Sequence, residues 1–489
     1  MEFRHIKEPL LEFGEGLSVC PKDGIATKGT YDRNQVRPVQ IKLGVVGKEE
    51  SVEKVLNWLI NSKDYIPGKE SKREKPKLFP AFPGFNSQTA FKSEIIYDET
   101  YIRNLNNSEF DKIKENSDSV ESLISATIDL YLNEIKFLAK NKVADVIICV
   151  LPEKFVQGFL ESEKDPEKPS ANADSTQEND NEYQNGNDAE DEEEHSLETD
   201  FRRLFKAKSM KYNILIQIVR DRIVKPSSSM QDPASIAWNL YTALYYKAGG
   251  TPWALRKDSA SIDCYAGISF YRSRDKKTLQ TSIAQIFNEV GKGVILRGEP
   301  VEIKSNDRIP HLSEDQAYRL MNRALTEYRD SLRINPQRLV IHKTSNFNED
   351  EIRGFEKAAN EHAVYSTDMV TIMRTDLRLF REGMFAPRRG SHLALDSHNH
   401  LLYTRGSVDF FETYPAKYIP SPILVRLFKY DSSPNKICEE ILALTKMNWN
   451  NTQFDRKYPI TIECARKVGD ILKYLNEDEK EQLKYSFYM

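Results

Sequence analysis

The sequence predicts an α/β protein of two main domains, and three observations predict it. Apolar runs of strand length alternate with segments of helical spacing through the first half of the 489-residue chain. Three strand-like segments in succession open the second half before the alternation resumes. Hydrophobic residues make up 39% and charged residues 29%, a globular balance with apolar surface for more than one core. No run of about eighteen apolar residues exists, so no membrane-spanning helix is expected. Residues 1–11 are charged throughout and lack the apolar centre of a secretory signal. Cys20, Cys149, Cys264, Cys438 and Cys464 stand alone, with no CxxC pair. Neither a zinc knuckle nor a disulfide framework is expected, and a cytoplasmic location fits.

In the first half, Val39–Gly47 (VQIKLGVVG) reads as a strand and Glu50–Ile60 as a helix. Asp118–Ala139 reads as a long amphipathic helix, and Ala144–Leu151 (ADVIICVL) as a strand buried on both faces. Phe201–Met210 is helical, Asn213–Val219 (NILIQIV) a strand and Pro233–Tyr246 a helix. Strands alternating with helices argue for a parallel, Rossmann-like sheet. An acidic stretch interrupts it. Glu161–Asp200 holds sixteen Asp or Glu and two Lys, a net of −14, so the rest of the chain carries −4 − (−14) = +10. A body that positive suits a polyanionic partner. Ser162–Glu198 has almost no large apolar residue and is expected to be a disordered insertion.

In the second half, Cys264–Tyr271, Thr281–Asn288 and Gly293–Leu296 read as successive strands. A long helix (Ser313–Ser331), a strand (Arg338–His342), a helix (Glu349–Ala359), further strands, and helices at Ile437–Leu444 and Thr461–Leu475 follow. A meander followed by alternating strands and helices is the outline of an RNase H-like fold.

Candidate chemistry concentrates in two places. In RRLFKAKSMKYNILIQ, Lys206 lies one helical turn beyond Arg202, so they share a face, and Gln217 falls in the next strand. In WNLYTALYYKAGG, Asn239, Ala243 and Lys247 are spaced by four and form one stripe, ahead of Gly249 and Gly250. Two lysines, a glutamine and an asparagine make a cradle for a terminal phosphate. The same residues also fit a solvated helix face with an ordinary glycine cap. His392, His398 and His400 in RRGSHLALDSHNHLL fit a polar hairpin turn or a metal site. His342 sits at a strand end, where packing and a nucleic-acid contact are equally open. Lys343, Arg388, Arg389, Arg405 and Lys417 fall on loops as candidate backbone-phosphate contacts. No GxxxxGK[ST], HExxH or GxSxG motif is present.

FKAKSMKYNILIQI and NLYTALYYKAGGTPWAL resemble the 5′-phosphate pocket in the MID domain of Argonaute proteins. YAGISF, RLVIHKTSNFNEDEIRGFEKA, LFREGMF, LLYTRGS, TYPAKYIPSPILV and LTKMNWNNTQFDRKYPITIECARKVGDIL resemble the adjoining PIWI domain. IKEPLLEFGEG, PKDGIATKG, KLGVVGKEESVEKVLNWL and FPAFPGF resemble the opening of short prokaryotic Argonautes, and no N or PAZ domain fits. The resemblance implies an N-terminal segment over 1–37 packing on the PIWI domain, a MID domain over 38–254 with the insertion 161–200, and a PIWI domain over 255–489. It assigns Lys206, Gln217 and Lys247 to the guide 5′ phosphate, with Asn239 supporting the first nucleotides. Arg202 stands where the first guide base stacks, and its guanidinium plane can do the same. The carboxylate of Met489 would share a Mg2+ with the phosphate.

Nucleases of the RNase H-like kind hold two metal ions about 3.5–4 Å apart with several carboxylates. By the resemblance, Ser269 stands at the first aspartate, Glu382 at the third acidic position and Arg466 at the fourth ligand. Glu299 and Glu302 lie near where a mobile glutamate is needed, and Asp263 comes six residues too early to replace the first aspartate. A hydroxyl and a cation in place of two ligands imply a chain that does not cut. The resemblance then implies a guide-RNA-binding subunit that recognises single-stranded DNA of invaders. It would switch on a separately encoded APAZ-containing effector, a sirtuin-like or TIR NADase or a nuclease, bound as a heterodimer or higher oligomer in prokaryotic immunity. A guide-directed nuclease with a rearranged metal site, and a repressor acting alone, are the alternatives.

Overall fold

Val146–Leu151 (VIICVL) offers no polar position, so both its faces must be covered. In the computed structural model it is an inner strand of a parallel sheet, and every one of its residues is buried. The structure describes residues 1–68, 76–153, 155–156, 197–224, 231–256, 262–274, 278–286, 293–301, 309–380, 382–383, 386–412, 414, 419–476 and 479–489, with backbone only at 197–198 and 282–286. They form two units: Met1–Gly24 with Trp253–Met489, and Ile25–Pro252.

The chain opens with β1 (Glu2–His5), β2 (Leu11–Phe13) and β3 (Gly16–Ser18) of the first unit. The second unit runs β4 (Gln40–Lys48), α1 (Glu49–Asn61), β5 (Glu94–Ile96), β6 (Ile102–Leu105), α2 (Val120–Asn141), β7 (Val146–Leu151), α3 (Leu197–Ser209), β8 (Leu215–Arg220) and α4 (Pro233–Lys247). Its strands lie in the order β5-β4-β7-β8, all parallel, with β6 also alongside β4. This is the Rossmann-like sheet that the alternation predicts. Of the acidic insertion, only 197–200 are described, and they open α3. The expectation for its remainder lies outside the described residues.

The division between units falls at 24/25 and 252/253, whereas the sequence reading places boundaries at 37/38 and 254/255. Residues 30–32 explain the first difference. Asp32 accepts the Tyr245 hydroxyl at 2.6 Å and the Thr251 N–H at 2.7 Å, and the Tyr31 N–H donates to the Pro252 carbonyl at 3.0 Å. A buried carboxylate so held belongs with the α4 core, not with the strands before it.

The first unit resumes with β9 (Ala254–Leu255), which joins β2 and β3 in a small sheet. There follow β10 (Asp263–Arg272), β11 (Leu279–Ile286), β12 (Gly293–Val301), α5 (Glu314–Leu332), β13 (Arg338–Lys343), α6 (Glu349–Glu361), β14 (Ser366–Arg374), β15 (Ser391–Ala394), β16 (Asn399–Leu402), β17 (Ile423–Lys429), α7 (Pro434–Leu444) and α8 (Ile460–Leu472). Nine strands form one sheet in the order β1-β15-β16-β17-β14-β13-β10-β11-β12. β10, β11 and β12 are antiparallel, while β13 and β14 run parallel to β10, which is the RNase H-like arrangement. Helices α5 and α6 bury one face through Met321, Leu325, Phe355 and Ala358, against Ile268 and Ile341. On the other face, Ile437, Ile441 and Ile462 of α7 and α8 pack against Val370, Ile372 and Val425. β12 continues five residues past the expected end at Leu296, through Arg297, Gly298 and Glu299. An edge strand keeps one solvated face, so the polar residues that seemed to end it are compatible with its pairing to β11.

Two contacts inside this unit set its tolerances. Gly267 of β10 lies against α8, where an added Cβ would sit 2.1 Å from the Thr461 carbonyl oxygen. Gly267→Ala is therefore expected to destabilise the protein by about 3 kcal/mol, because backbone cannot yield as a side chain can. Urea denaturation checks this, and an unchanged midpoint would refute it. At the amino end of β13, Arg338 is 5% exposed and its guanidinium meets Asp368 at 2.6 Å, Glu440 at 2.7 Å and Asp263 at 3.2 Å.

Candidate functional site

β8 is reached from α3 through a single 3-10 turn, Met210–Tyr212, and Asn213 takes the left-handed conformation (φ 50°) that reverses the chain. Lys206 thus sits in the last turn of α3, shortly before the strand that carries Gln217. Phe201 and Phe205 bury one face of α3, and Arg202 and Lys206, each one residue further round, are half-buried at its margin. α4 begins with Asp232 capping the Ala234 and Ser235 N–H groups, with Pro233 at its first position. The helix ends at Lys247, which its core-facing stripe carries into the interior.

Lys247 is the centre of the site. Its side chain is buried, and its Nζ donates to the Ile216 carbonyl at 2.9 Å and to Gln217 Oε1 at 2.7 Å. Both acceptors are neutral. Burial brings the Lys247 ammonium down to about 7, with Cys149 opposing the shift. Because Lys247 has only donors to offer, Gln217 must turn Oε1 toward it. The Gln217 amide Nε2 is left with a long 3.4 Å contact to the Ile218 carbonyl. The pair therefore sets a buried amine beside a weakly engaged amide N–H donor, groups that an anion could accept from.

Of the other residues expected here, Asn239 lies two turns before Lys247 on α4, and its amide donates to Gln231 Oε1 at 3.0 Å. Arg202 and Lys206 share a face of α3, as their spacing predicts. Met489 belongs to the other unit and is buried there, next to a Tyr488 whose hydroxyl donates to the Gln482 carbonyl at 2.9 Å.

Alternation along β10 puts Gly267, Ser269 and Tyr271 on the face beneath α8, where Gly267 meets Thr461 and Tyr271 meets Gly469. Ser269 is buried there. β13 is the parallel neighbour, with Gly267 opposite His342, and the Thr344 N–H donates to the Ile268 carbonyl at 3.3 Å. The side chain flanking Ser269 on that face is thus Thr344, which sequence reasoning missed. Glu382 instead follows β14, which β13 separates from β10, eight residues beyond the strand's end.

Arg466 lies on α8, with its guanidinium 4.2 Å from the centre of the Tyr458 ring. Glu299 is exposed on β12 and paired with Arg319 at 2.7 Å, Asp263 belongs to the Arg338 network, and Glu302 lies outside the described residues. Among the described residues, no group of three or more His, Cys, Asp or Glu is placed to share a metal ion. His392 and His400 are buried in the β15–β16 hairpin, 3.1 Å apart, and His398 lies in its turn. His342 is buried packing, hydrogen-bonded to Thr461 at 2.8 Å. Several expected phosphate-facing cations are instead used inside the fold. Lys343 pairs with Glu351 at 2.5 Å and Arg389 with Glu8 at 2.9 Å, all four side chains little exposed, whereas Arg388 pairs with Asp409 at the surface. Arg405 is buried beside Asp455, and Lys417 lies outside the described residues.

The Argonaute of Clostridium butyricum, bound to a guide DNA and a 19-mer target DNA, superposes with a TM-score of 0.61 over 98% of this chain at 16% identity. Drosophila Piwi matches with 0.61 over 99% at 13% identity. The Argonaute of Marinitoga piezophila, in complex with a 5′-hydroxyl guide RNA, matches with 0.55 over 100% at 13% identity.

The chain has an Argonaute-like fold.

It spans a little over half of those proteins, 53%, 56% and 59% of their respective lengths. No protein-family model and no curated protein sequence matches it. At these identities the likeness is one of architecture, an Argonaute-like pairing of a MID-type Rossmann-like unit with a PIWI-type RNase H-like unit. No helix among the described residues is long and apolar enough to cross a membrane.

Proposed function

We propose that the chain binds a short guide nucleic acid, RNA in the first instance, by its 5′ phosphate in the Rossmann-like unit. The observation that carries this reading is the buried Lys247–Gln217 pair, which sets a lysine amine 2.7 Å from a glutamine amide at the end of α4, two donor groups of the kind that hold phosphate oxygens. In this reading Lys247, Lys206 and the Gln217 amide hold the phosphate oxygens. Asn239 supports the first nucleotides, and the Arg202 guanidinium stacks on the first base. A Mg2+ shared by phosphate and carboxylate oxygens would add charge neutralisation, as hard-ion chemistry allows. Pairing along the guide then selects a complementary single-stranded DNA. The direct test is the affinity of the purified chain for one guide carrying either a 5′ phosphate or a 5′ hydroxyl. Equal affinities would refute the pocket.

The same proposal makes the protein a recogniser and not a nuclease. Ser269 and Thr344 offer neutral hydroxyls where adjacent strands of a two-metal site would bring carboxylates together. Guide-loaded protein is expected to leave a matched target uncut with either Mg2+ or Mn2+ over hours, as read on a denaturing gel. Guide-directed cuts would establish the nuclease alternative. A binder that does not cut needs another protein to act, and the proposed one is a separately encoded APAZ-containing effector, with NADase or nuclease activity, in defence against invading DNA. Purification of the native protein tests this: a stable heterodimer supports it, and a chain that protects cells with no partner supports the repressor alternative.

A further inference from the structure

The carboxyl ends of parallel strands are where open α/β sheets present ligands. β14 ends there, beside β13, and hands the chain to Thr375–Phe380. Residues 376–380 are all exposed, and three of these five are large and apolar: Leu377 at 54%, Leu379 at 37% and Phe380 at 89%. This segment is held in place. The Leu379 N–H donates to the hydroxyl of the buried Tyr403 at 2.9 Å, and the Leu377 N–H donates to Thr375 Oγ1 at 3.2 Å. An apolar tip fixed outward in water marks a contact surface.

Charge says what it contacts. Arg374 and Arg378 are exposed and have no ion pair among the described residues. Four other exposed arginines of this unit are neutralised, Arg319 by Glu299, Arg323 by Glu481, Arg353 by Glu314 and Arg388 by Asp409, whereas Arg272 and Arg333 have no ion pair among the described residues either. Residues 374–380 contain two Arg and one Asp, a net of +2 − 1 = +1. An apolar groove on another protein would have to strip water from those guanidinia without pairing them. A nucleic-acid strand pairs them with phosphates and gives the ring a base to stack on.

We propose that Phe380 is a wedge that stacks on a nucleobase of the target strand once that strand is paired with the guide. Leu377 and Leu379 pack on the flanking sugars, and Arg374 and Arg378 meet the flanking phosphates. The proposal rests on the guide-binding reading and adds a site in the other unit.

The test uses the full chain loaded with a 5′-phosphorylated guide, and target strands carrying one 2-aminopurine walked along the paired region. One or two adjacent positions are expected to change emission at least about twofold on binding. That change is lost in Phe380→Ala and kept in Phe380→Trp. Loss of one base stack lowers target affinity roughly five- to a hundredfold in Phe380→Ala, while guide affinity stays within about twofold of wild type. Arg374→Gln with Arg378→Gln is expected to lower the salt dependence of target binding. Unchanged emission and target affinity in Phe380→Ala overturn the wedge while leaving guide binding standing. A signal only from 2-aminopurine placed in the guide overturns the assignment to the target strand. Phe380→Ala that abolishes binding of a co-purifying protein, with nucleic-acid binding intact, assigns the surface to that protein and overturns the proposal. Wild-type protein that shows no preference for a 5′ phosphate defeats the guide reading by a separate measurement.

Discussion

Replacing Lys206 by alanine and Lys247 by methionine is expected to weaken a 5′-phosphorylated guide by about a hundredfold to a thousandfold, and a 5′-hydroxyl guide by less than about threefold. Hydrogen bonds to a charged partner contribute about 1.5–3 kcal/mol each, and two acting on one phosphate are not fully additive. Methionine at 247 keeps the unbranched volume inside α4 and avoids opening a cavity at a buried position. Fluorescence anisotropy with the two guides reads the difference. Equal losses for both would place the phosphate elsewhere.

The same lysine makes the affinity depend on pH in a stated direction. Burial holds Lys247 at about 7, below its ordinary value, so the free protein gives up this proton near neutrality. A phosphate dianion beside the amine favours the charged form and raises that value. Between pH 7 and 9 the guide-bound protein therefore holds more protons than the free protein, and affinity falls as pH rises, by up to tenfold per unit at the limit. Below about pH 6 the phosphate itself takes up a proton and the trend levels off. The slope is expected to vanish with a 5′-hydroxyl guide and in Lys247→Met. For stability alone the sign is different. The buried ammonium is disfavoured in the fold, so its cost is fully present below pH 7 and is relieved as pH rises toward the unfolded value.

Arg338→Met is the second large effect, expected to cost about 3–5 kcal/mol of stability, because it leaves charges buried without their counterion. Asp368 is fully buried, and Asp263 and Glu440 nearly so. Asp368 keeps the Asp431 and Ser432 N–H groups, at 2.8 and 3.0 Å, but the other two lose their nearest cation. Adding Asp368→Asn and Glu440→Gln is expected to recover part of the loss, since neutral amides do not need the guanidinium. Urea denaturation of the single and triple variants measures both. A single variant within about 1 kcal/mol of wild type would mean that water reaches the cluster.

Much of the architecture was legible because periodicity reports burial directly. VIICVL could only be an inner strand, and the four-residue spacing of Asn239, Ala243 and Lys247 put them on one helix face. What stayed hidden depends on register and partners. No pattern in RLVIHKTS says that Thr344 flanks Ser269, because that follows from the pairing of strands about seventy residues apart. Nor does a loop lysine or arginine reveal whether it faces solvent. Lys343 and Arg389 looked like phosphate contacts, yet each has a buried carboxylate waiting, Glu351 eight residues on and Glu8 at the far end of the chain. Lys247 is legible as a polar residue on a stripe, but its burial against Gln217, the property on which its proposed role rests, came from the fold.

The order of strands in the nine-stranded sheet also has a consequence in time. β1 is synthesised first, but its partner β15 begins at Ser391, 386 residues after His5. At about 5–20 residues per second, the first strand waits roughly 20–80 s on the ribosome before anything exists for it to pair with. At the opposite rim, the Ile295 N–H donates to the Leu483 carbonyl at 2.7 Å, so β12 is covered only once Leu483 has been made. Both rims of the sheet stay open until Ser391 and Leu483 have been made, while the Rossmann-like unit, contained within Ile25–Pro252, has all of its strands in hand once Arg220 is made. The two halves of the molecule are therefore born on different clocks, and nascent chains stalled after residue 301 should be the species that chaperones capture.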